Sequence, residues 1–354
     1  MNDLFNAPFQ MNKVKKSQFF LPEIQELTNY HAKHCEPYKN ILDHLSLQTS
    51  FVSLEDVPYL PVQMFKMLDL YSINYENIFK TLTSSGTTGQ RVSKIYIDKH
   101  TALLQSKALI SIVTSFIGKK RLPMIIIDSK SVLKDRKAFS ARGAGIVGFS
   151  NFGRNHFYLL NEQMEIDWDG LEAFIKKYEG QPILLFGFTF MIWQYFYKKF
   201  KVKQTKLNLK NSILIHGGGW KKLQEEAISN WEFKGLLKEQ LGIDRVHNYY
   251  GMVEQVGSIF MECEYGHLHT PIYADVIIRD ISNYQALPMG EKGLIQVISL
   301  LPKSYPGHSI LTEDIGMLLG EDDCPCGRYG KYFAVEGRIP KAEVRGCSDT
   351  HAYR

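Results

Sequence analysis

No stretch of the chain reads as a leader or a membrane span. The N-terminus has no charged segment followed by an apolar one, and the longest apolar-rich stretch, residues 183–200, is broken by Gly187, Gln194 and the pair Lys198 and Lys199. The cytoplasm is the expected compartment. Cysteine is scarce: five in 354 residues, an odd number, which argues against a disulfide framework and for thiols or metal ligands. Excess charge is scarce too. The formal net charge is only +5, and the basic residues are scattered apart from Lys13, Lys15 and Lys16, so no nucleic-acid partner is expected. No repeat of fixed period and no low-complexity segment is visible. What the chain has is apolar mass. With 44% hydrophobic residues it can bury a large core, in one large domain or two closely packed ones.

Residues 83–94, TSSGTTGQRVSK, organise the rest. Ser84, Ser85, Gly86, Thr87, Thr88 and Gly89 place four hydroxyls and two glycines in six consecutive positions, with Arg91 and Lys94 nearby. Glycine lets backbone N–H groups approach an anion, and the hydroxyls add donors, so the loop suits phosphate. It is not the Walker pattern, which ends in Gly-Lys-Ser/Thr and opens a helix. The following SKIYIDKH alternates like a strand, so the loop is expected to join two strands. On this stretch alone a solvated Ser/Thr/Gly turn is an equal alternative.

Elsewhere the apolar spacing predicts a helix over 21–47, opened by Pro22 and broken at Pro37, and another over 101–116 with Leu103, Leu104, Ala108, Ile110, Ile112 and Val113 on its apolar side. PMIIID reads as a buried strand with Asp128 at its carboxyl end, where active-site residues often sit. The glycine-rich run 140–153 reads as a mobile or closely packed loop able to wall an apolar pocket. HFYLL, PILLFGF and NSILIH read as strands, with helices over 168–178 and 191–199 between them, so the class is α/β with crossover connections.

NSILIH runs into HGGGW, where Gly217, Gly218 and Gly219 allow a ligand to lie against bare backbone before a helix rich in Lys, Leu and Glu. In VHNYYGMVEQVG, Tyr250 offers a flat face for a base, Gly251 follows it, and Glu254 offers a carboxylate for magnesium. Each alone is more often core and turn. CEYGHLH and DCPCGR are two short turns with two soft ligands each, and Cys263, His269, Cys324 and Cys326 would together make a tetrahedral zinc site; buried thiols are the alternative. His269 is preferred to His267 because its wider spacing from Cys263 suits a loop. With all four positions filled by protein, such a metal would be structural.

The order SSGTTG, HGGGW, YYGMVEQ, LTEDIG, VEGR resembles that of the adenylate-forming ligases. The resemblance implies that Ser84, Ser85, Gly86, Thr87, Thr88 and Gly89 hold the phosphates of ATP. It implies that Gly217, Gly218, Gly219, Tyr250 and Gly251 cradle adenine and that Glu254 binds Mg2+. Asp314 would take the ribose hydroxyls, and Arg338 is the arginine after the hinge glycine. There are departures. Arg91 and Val92 stand where Pro-Lys is usual, as in the phenylacetate-CoA ligase branch, and Val253 stands where many members have a threonine. The chain ends sixteen residues after Arg338, where full-length relatives continue into a C-terminal domain with a catalytic lysine.

FLPEIQELTNYHAKHCEPYKNIL, VPYLPVQMFK, ECEYGHLH, CPCGR and the ending VRGCSDTHAYR resemble the acyl-protein synthetases of bacterial luminescence operons, the LuxE family. That resemblance implies a ligase fold of α/β type, with mixed sheets and flanking helices and without the full C-terminal domain. Residues 1–338 would form the core, helical over 1–60, and 339–354 a tail. It implies activation of a fatty or other apolar carboxylic acid to acyl-AMP, then a thioester on Cys347, then delivery to a reductase or other acceptor protein. Cys347 lies nine residues beyond Arg338, which an extended chain spans in at most roughly 30 Å. Read by position alone, Cys347 is an idle thiol. Independently of any name, a carboxylate is a poor electrophile and a mixed anhydride with AMP supplies a leaving group, after which a thiolate is the natural nucleophile. Two rivals stand beside this reading: an acid-CoA ligase of the phenylacetate type, and a non-catalytic nucleotide-binding subunit.

Overall fold

Helix begins earlier than the apolar repeat suggests. In the computed structural model, which describes residues 5–84, 91–133, 141–204, 207–255 and 257–339, α1 spans Lys13–His34. Asn12 caps it by accepting the Lys15 N–H at 3.1 Å. Its buried stripe runs Lys16, Phe20, Ile24, Leu27, Thr28 and His31. A lysine heads that stripe, which is why the periodicity misses the first turns. Pro22 therefore lies inside the helix instead of opening it; it is exposed, so the carbonyl it leaves unpaired faces water. The break falls at Cys35, and Pro37 takes the first turn of α2, Glu36–His44, where its missing N–H costs nothing.

The chain then forms β1 (Leu60–Pro61), α3 (Met64–Met67), β2 (Lys80–Thr83), β3 (Lys94–Ile97) and α4 (Lys99–Ile117). β2 and β3 are antiparallel with Thr83 opposite Lys94, so the hydroxyl-rich segment does join two strands. On α4 the buried side holds Leu104, Ala108, Ile112 and Val113, whereas Leu103 and Ile110 are each 52% exposed, contrary to expectation. The polar Thr101 and Gln105 share the buried side.

Residues 117–249 form one compact unit. Its elements are β4 (Leu122–Ser129), α5 (Ala141–Ser150), β5 (Gly153–Leu160), α6 (Trp168–Lys177) and β6 (Leu184–Phe188). A continuous helical run follows, α7 (Thr189–Met191), a π-turn segment (Ile192–Tyr197) and α8 (Lys198–Lys203), then β7 (Ile213–Gly217), α9 (Asn230–Leu241) and β8 (Arg245–Tyr250). The strands are parallel in the order β8-β7-β6-β4-β5, as helix-bearing crossovers require. The glycine-rich run is a helix, not a loop. Gly145 of α5 faces the Phe188 ring, which a Cβ would meet at 3.1 Å, so packing overrides weak helical propensity. Only a short 3-10 turn, Lys221–Glu226, directly follows the glycine loop; α9 begins at Asn230, capped by Ser229.

The other unit takes residues up to 116 and from 250. Its later strands are β9 (Phe260–Glu262), β10 (Leu268–His269), β11 (Ala274–Arg279), β12 (Lys292–Ser299), β13 (Ser309–Glu321) and β14 (Lys331–Arg338). They lie in the order β11-β12-β13-β14-β10-β9, with β1 parallel to β13. Its core joins Cys35, Tyr38 and Leu42 of the helical start to Phe260, Val276, Ile295, Ile310 and Phe333 of the sheet. Lys16 fastens α1 to it: buried, its ammonium pairs with Asp275 at 3.1 Å and donates to the Ala274 carbonyl at 2.7 Å. Mixed sheets with flanking helices are the predicted class.

Candidate nucleotide site and metal centre

A loop that must present its backbone to an anion needs a fixed neck, and here the neck is doubly bonded. The Ser84 N–H donates to the Ser93 carbonyl at 3.1 Å, and the Ser93 N–H donates to Ser84 Oγ at 2.9 Å. Ser84 Oγ thus acts as an acceptor in closing the loop. Ser85, Gly86, Thr87, Thr88 and Gly89 lie outside the described residues. Lys94 is engaged by Asp69 at 3.2 Å, and the Tyr96 hydroxyl donates to the same carboxylate at 2.6 Å.

In the same unit, the turn Val253–Gln255 buries Glu254. Burial raises its pKa, while the Ser93 hydroxyl and the Lys66 and Arg338 charges pull it back. A carboxylate so placed is one whose ionised form a divalent cation would restore. Tyr250, four residues before Glu254, forms a bonded group with Asp314 and Arg338. The Tyr250 hydroxyl donates to Asp314 Oδ2 at 2.7 Å, and Arg338 Nε meets Asp314 Oδ1 at 3.1 Å. The sheet sets this up, because β13 and β14 pair Asp314 with Arg338. One side of the Tyr250 ring packs near Phe260, centroids 6.2 Å apart at 28°. Gly251 sits against Ile259.

In the parallel unit, Gly217 ends β7 opposite Tyr249. A Cβ on Gly217 would come within 2.7 Å of the Tyr249 ring, and one on Gly218 within 2.8 Å of Phe188. Those two glycines lie against aromatic rings. Gly219, at φ +65° with nothing within 4 Å of a Cβ, is the one with bare backbone toward open space. Behind it Thr189 Oγ1 meets His216 Nδ1 at 2.9 Å, and burial lowers the His216 pKa to about 3, so the ring is neutral. Sequence reasoning passed over His216 and Thr189, which carry no spacing signal.

The two cysteine turns do meet. Cys263, His269, Cys324 and Cys326 have their ligand atoms all within 4.8 Å of one another. The sheet order brings this about: β10 pairs with both β9 and β14, with His269 opposite Met261 and Tyr332, so the turns after β9 and β13 lie side by side. A tetrahedral zinc with Zn–S of about 2.3 Å spaces its sulfurs about 3.8 Å apart, and the sulfurs of Cys263 and Cys324 are 3.9 Å apart. His269 Nε2 lies 3.3 Å from Cys326 Sγ. His267, the alternative ligand, turns Nδ1 toward Cys324 Sγ at 3.3 Å while its ring stacks on Tyr332. Burial pushes the Cys324 thiol up to about 12 and raises Cys263. Sulfurs this close and this dry fit a cation that would hold them as thiolates. Cys347 lies outside the described residues. Among the described residues no helix is long and apolar enough to cross a membrane.

The model of the LuxE acyl-protein synthetase family matches residues 2–353. Over 339 residues the chain is 22% identical to the long-chain-fatty-acid–luciferin-component ligase of Aliivibrio fischeri, covering 92% of this chain and 85% of that one. The Vibrio harveyi protein of the same name is 22% identical over 351 residues, covering 97% and 89%. Among solved structures, 2-hydroxyisobutyryl-CoA ligase in the postadenylation state superposes with a TM-score of 0.71 at 16% identity, over 93% of this chain and 69% of that one. An open conformation of that ligase gives 0.72, over 94% and 77%. At that identity the likeness shows the fold.

Proposed function

The chain belongs to the LuxE family of acyl-protein synthetases and is thereby a ligase, and from that premise we propose that it activates a fatty or other apolar carboxylic acid with ATP and carries the acyl group as a thioester on Cys347. A carboxylate oxygen attacks the α-phosphorus and pyrophosphate leaves; the Cys347 thiolate then attacks the acyl carbon and AMP leaves. The observation that carries the reading is the Tyr250–Asp314–Arg338 group. Asp314 is held by an arginine and a tyrosine with its carboxylate oriented, an arrangement suited to two adjacent ribose hydroxyls. Glu254 is the residue suited to hold Mg2+, which would supply positive charge to the phosphates. The doubly bonded neck at Ser84 and Ser93 supports a phosphate role for the loop it closes. Gly219 supports close approach of a ligand to backbone.

The relatives' name supports a long-chain acid as substrate. A reductase or another acceptor protein would receive the acyl group, and the cytoplasm is the proposed compartment. Cys263, His269, Cys324 and Cys326 would hold a structural zinc, binding the turn after β9 to the turn after β13.

The test is acid-dependent ATP/pyrophosphate exchange over a panel of carboxylic acids, followed by labelling with a radioactive acid. Native protein should exchange pyrophosphate and retain hydroxylamine-labile label, and Cys347→Ala should lose the label and keep the exchange. Persistence of label in that variant, or release that depends on CoA, would favour an acid-CoA ligase. ATP binding without exchange for any acid would favour a non-catalytic nucleotide-binding subunit.

A further inference from the structure

The parallel sheet of residues 117–249 reverses its strand order at β4: the chain leaves β4 for β5 on one side, then crosses to β6 on the other. In open α/β sheets the crevice beyond the carboxyl ends of the two strands flanking such a reversal is where ligands bind. Asp128 stands at the carboxyl end of β4, and Met191 follows the carboxyl end of β6. Arg142, in the first turn of α5, reaches both. Its side chain is 1% exposed and that of Asp128 2%. Nε lies 3.2 Å from Asp128 Oδ2, yet neither atom makes a hydrogen bond there. Among the described residues Nη1 has only the Met191 sulfur, at 3.9 Å. Nη2 has no partner among the described residues. The other oxygen of Asp128 accepts the Ser129 N–H at 2.7 Å.

A guanidinium carries five donors, and burying it with nearly all of them unspent is costly unless a further acceptor arrives. The surroundings say which kind. Phe188 lies against Gly145 of the same helix, and Ile127 and Ile192 close on Gly187, surroundings that suit an acceptor attached to an apolar body. The fork of an arginine matches a carboxylate with two parallel bonds. A phosphate ester would bring nearly two negative charges beside Asp128 where a carboxylate brings one. Resting on the reading of the chain as an acid-activating enzyme, we propose that Arg142 is a binding residue for the carboxylate of the acid substrate, and that Asp128 holds its guanidinium in place until the acid arrives.

The experiment compares binding of octanoic, dodecanoic and hexadecanoic acids with that of the matching primary alcohols, by displacement of Nile red. Arg142→Met alone would strand a buried carboxylate, so the neutral pair Arg142→Met with Asp128→Asn is used, its fold checked by circular dichroism and melting. Native protein should prefer acid to alcohol by roughly ten- to a hundredfold, the worth of charged hydrogen bonds; the neutral pair should lose that preference while still binding the alcohol. Asp128→Asn alone should sharpen the preference, since it removes the competing carboxylate, an effect that a purely structural ion pair would not produce. An undiminished preference in the neutral pair, with acid-dependent pyrophosphate exchange intact in native protein, would overturn this role of Arg142 and leave the proposed activity standing. Native protein that binds neither acid nor alcohol and exchanges no pyrophosphate would overturn both.

Discussion

Acid should destabilise this chain through histidines that it buries uncharged. His31 and His308 are both 0% exposed and stack with ring centroids 4.9 Å apart. His31 Nε2 donates to the Pro302 carbonyl at 3.0 Å, which leaves Nδ1 to accept from Ser72 Oγ at 2.7 Å. His308 Nε2 meets Thr28 Oγ1 at 3.1 Å, and its Nδ1 has no partner among the described residues. Protonating either ring would place a cation in a dry site next to the other ring and Lys303. Burial, then these neighbouring groups, lowers His308 to about 3 and His31 well below the ordinary value. In the unfolded chain each titrates near the ordinary value of about 6.5. The unfolded state therefore takes up protons that the folded state refuses; stability is whole above about pH 6.5 and is lost progressively as the pH falls toward about 3. From about pH 7.5 to about pH 5.5 each histidine should remove about 1.4 kcal/mol. His308→Gln keeps a donor and an acceptor but does not titrate, so its loss over that interval should be smaller than the native protein's by about 1.4 kcal/mol. Denaturant unfolding of both proteins at both pH values measures it. Asp128, which burial raises to about 6 and which acts in the opposite direction, is common to both proteins and cancels in the comparison. An equal loss in the two proteins would refute the reasoning.

Purified native protein should carry close to one zinc per chain, and Cys324→Ser should lower both metal content and melting temperature; zinc-free native protein with freely alkylated cysteines would count against the centre. Glu254→Gln should fold normally yet slow pyrophosphate exchange by roughly a hundredfold or more, as loss of a charge that acts in the transition state does, and an unchanged rate would remove Glu254 from the site. Tyr250→Phe deletes the 2.7 Å bond to Asp314 and should weaken ATP binding by roughly tenfold with little change in melting; unaltered ATP affinity would mean that Asp314 needs no such support. Lys16→Met leaves Asp275 with Lys331 alone, at 3.0 Å, and should destabilise the fold by about 3 kcal/mol, read by denaturant unfolding; an unchanged midpoint would show that Lys331 suffices.

Local chemistry made some features legible before any fold was known. Hydroxyls and glycines flanked by alternating residues marked a loop between two strands, and β2 and β3 flank it. Continuous apolar runs marked β4, β6 and β7, since a strand covered on both faces has no polar side to show. Two turns with soft ligands marked a meeting point for sulfur and imidazole, and the order of motifs carried the family. Each of these is written within a few consecutive residues, or in their order along the chain.

Other features are decided by partners distant in sequence. α1 starts at Lys13 because Asp275 is there to receive Lys16, and no window around residue 16 contains that carboxylate. Within the glycine-rich run 140–153, α5 packs Gly145 against Phe188, where a Cβ would meet the ring at 3.1 Å, a contact that no local window contains. Gly217 and Gly218 resembled a ligand-facing loop, and the structure gives their bare faces to Tyr249 and Phe188, leaving Gly219 alone to open space. That Arg142 is buried beside Asp128 with donors unspent among the described residues was invisible in a stretch read as loop. Sequence by itself determined which chemical groups this protein owns and which local backbone they favour, because propensity and alternation act between near neighbours. Tertiary structure alone decided which groups are dry, paired or left wanting a partner, because burial and Coulomb energy depend on distances that only the folded chain sets.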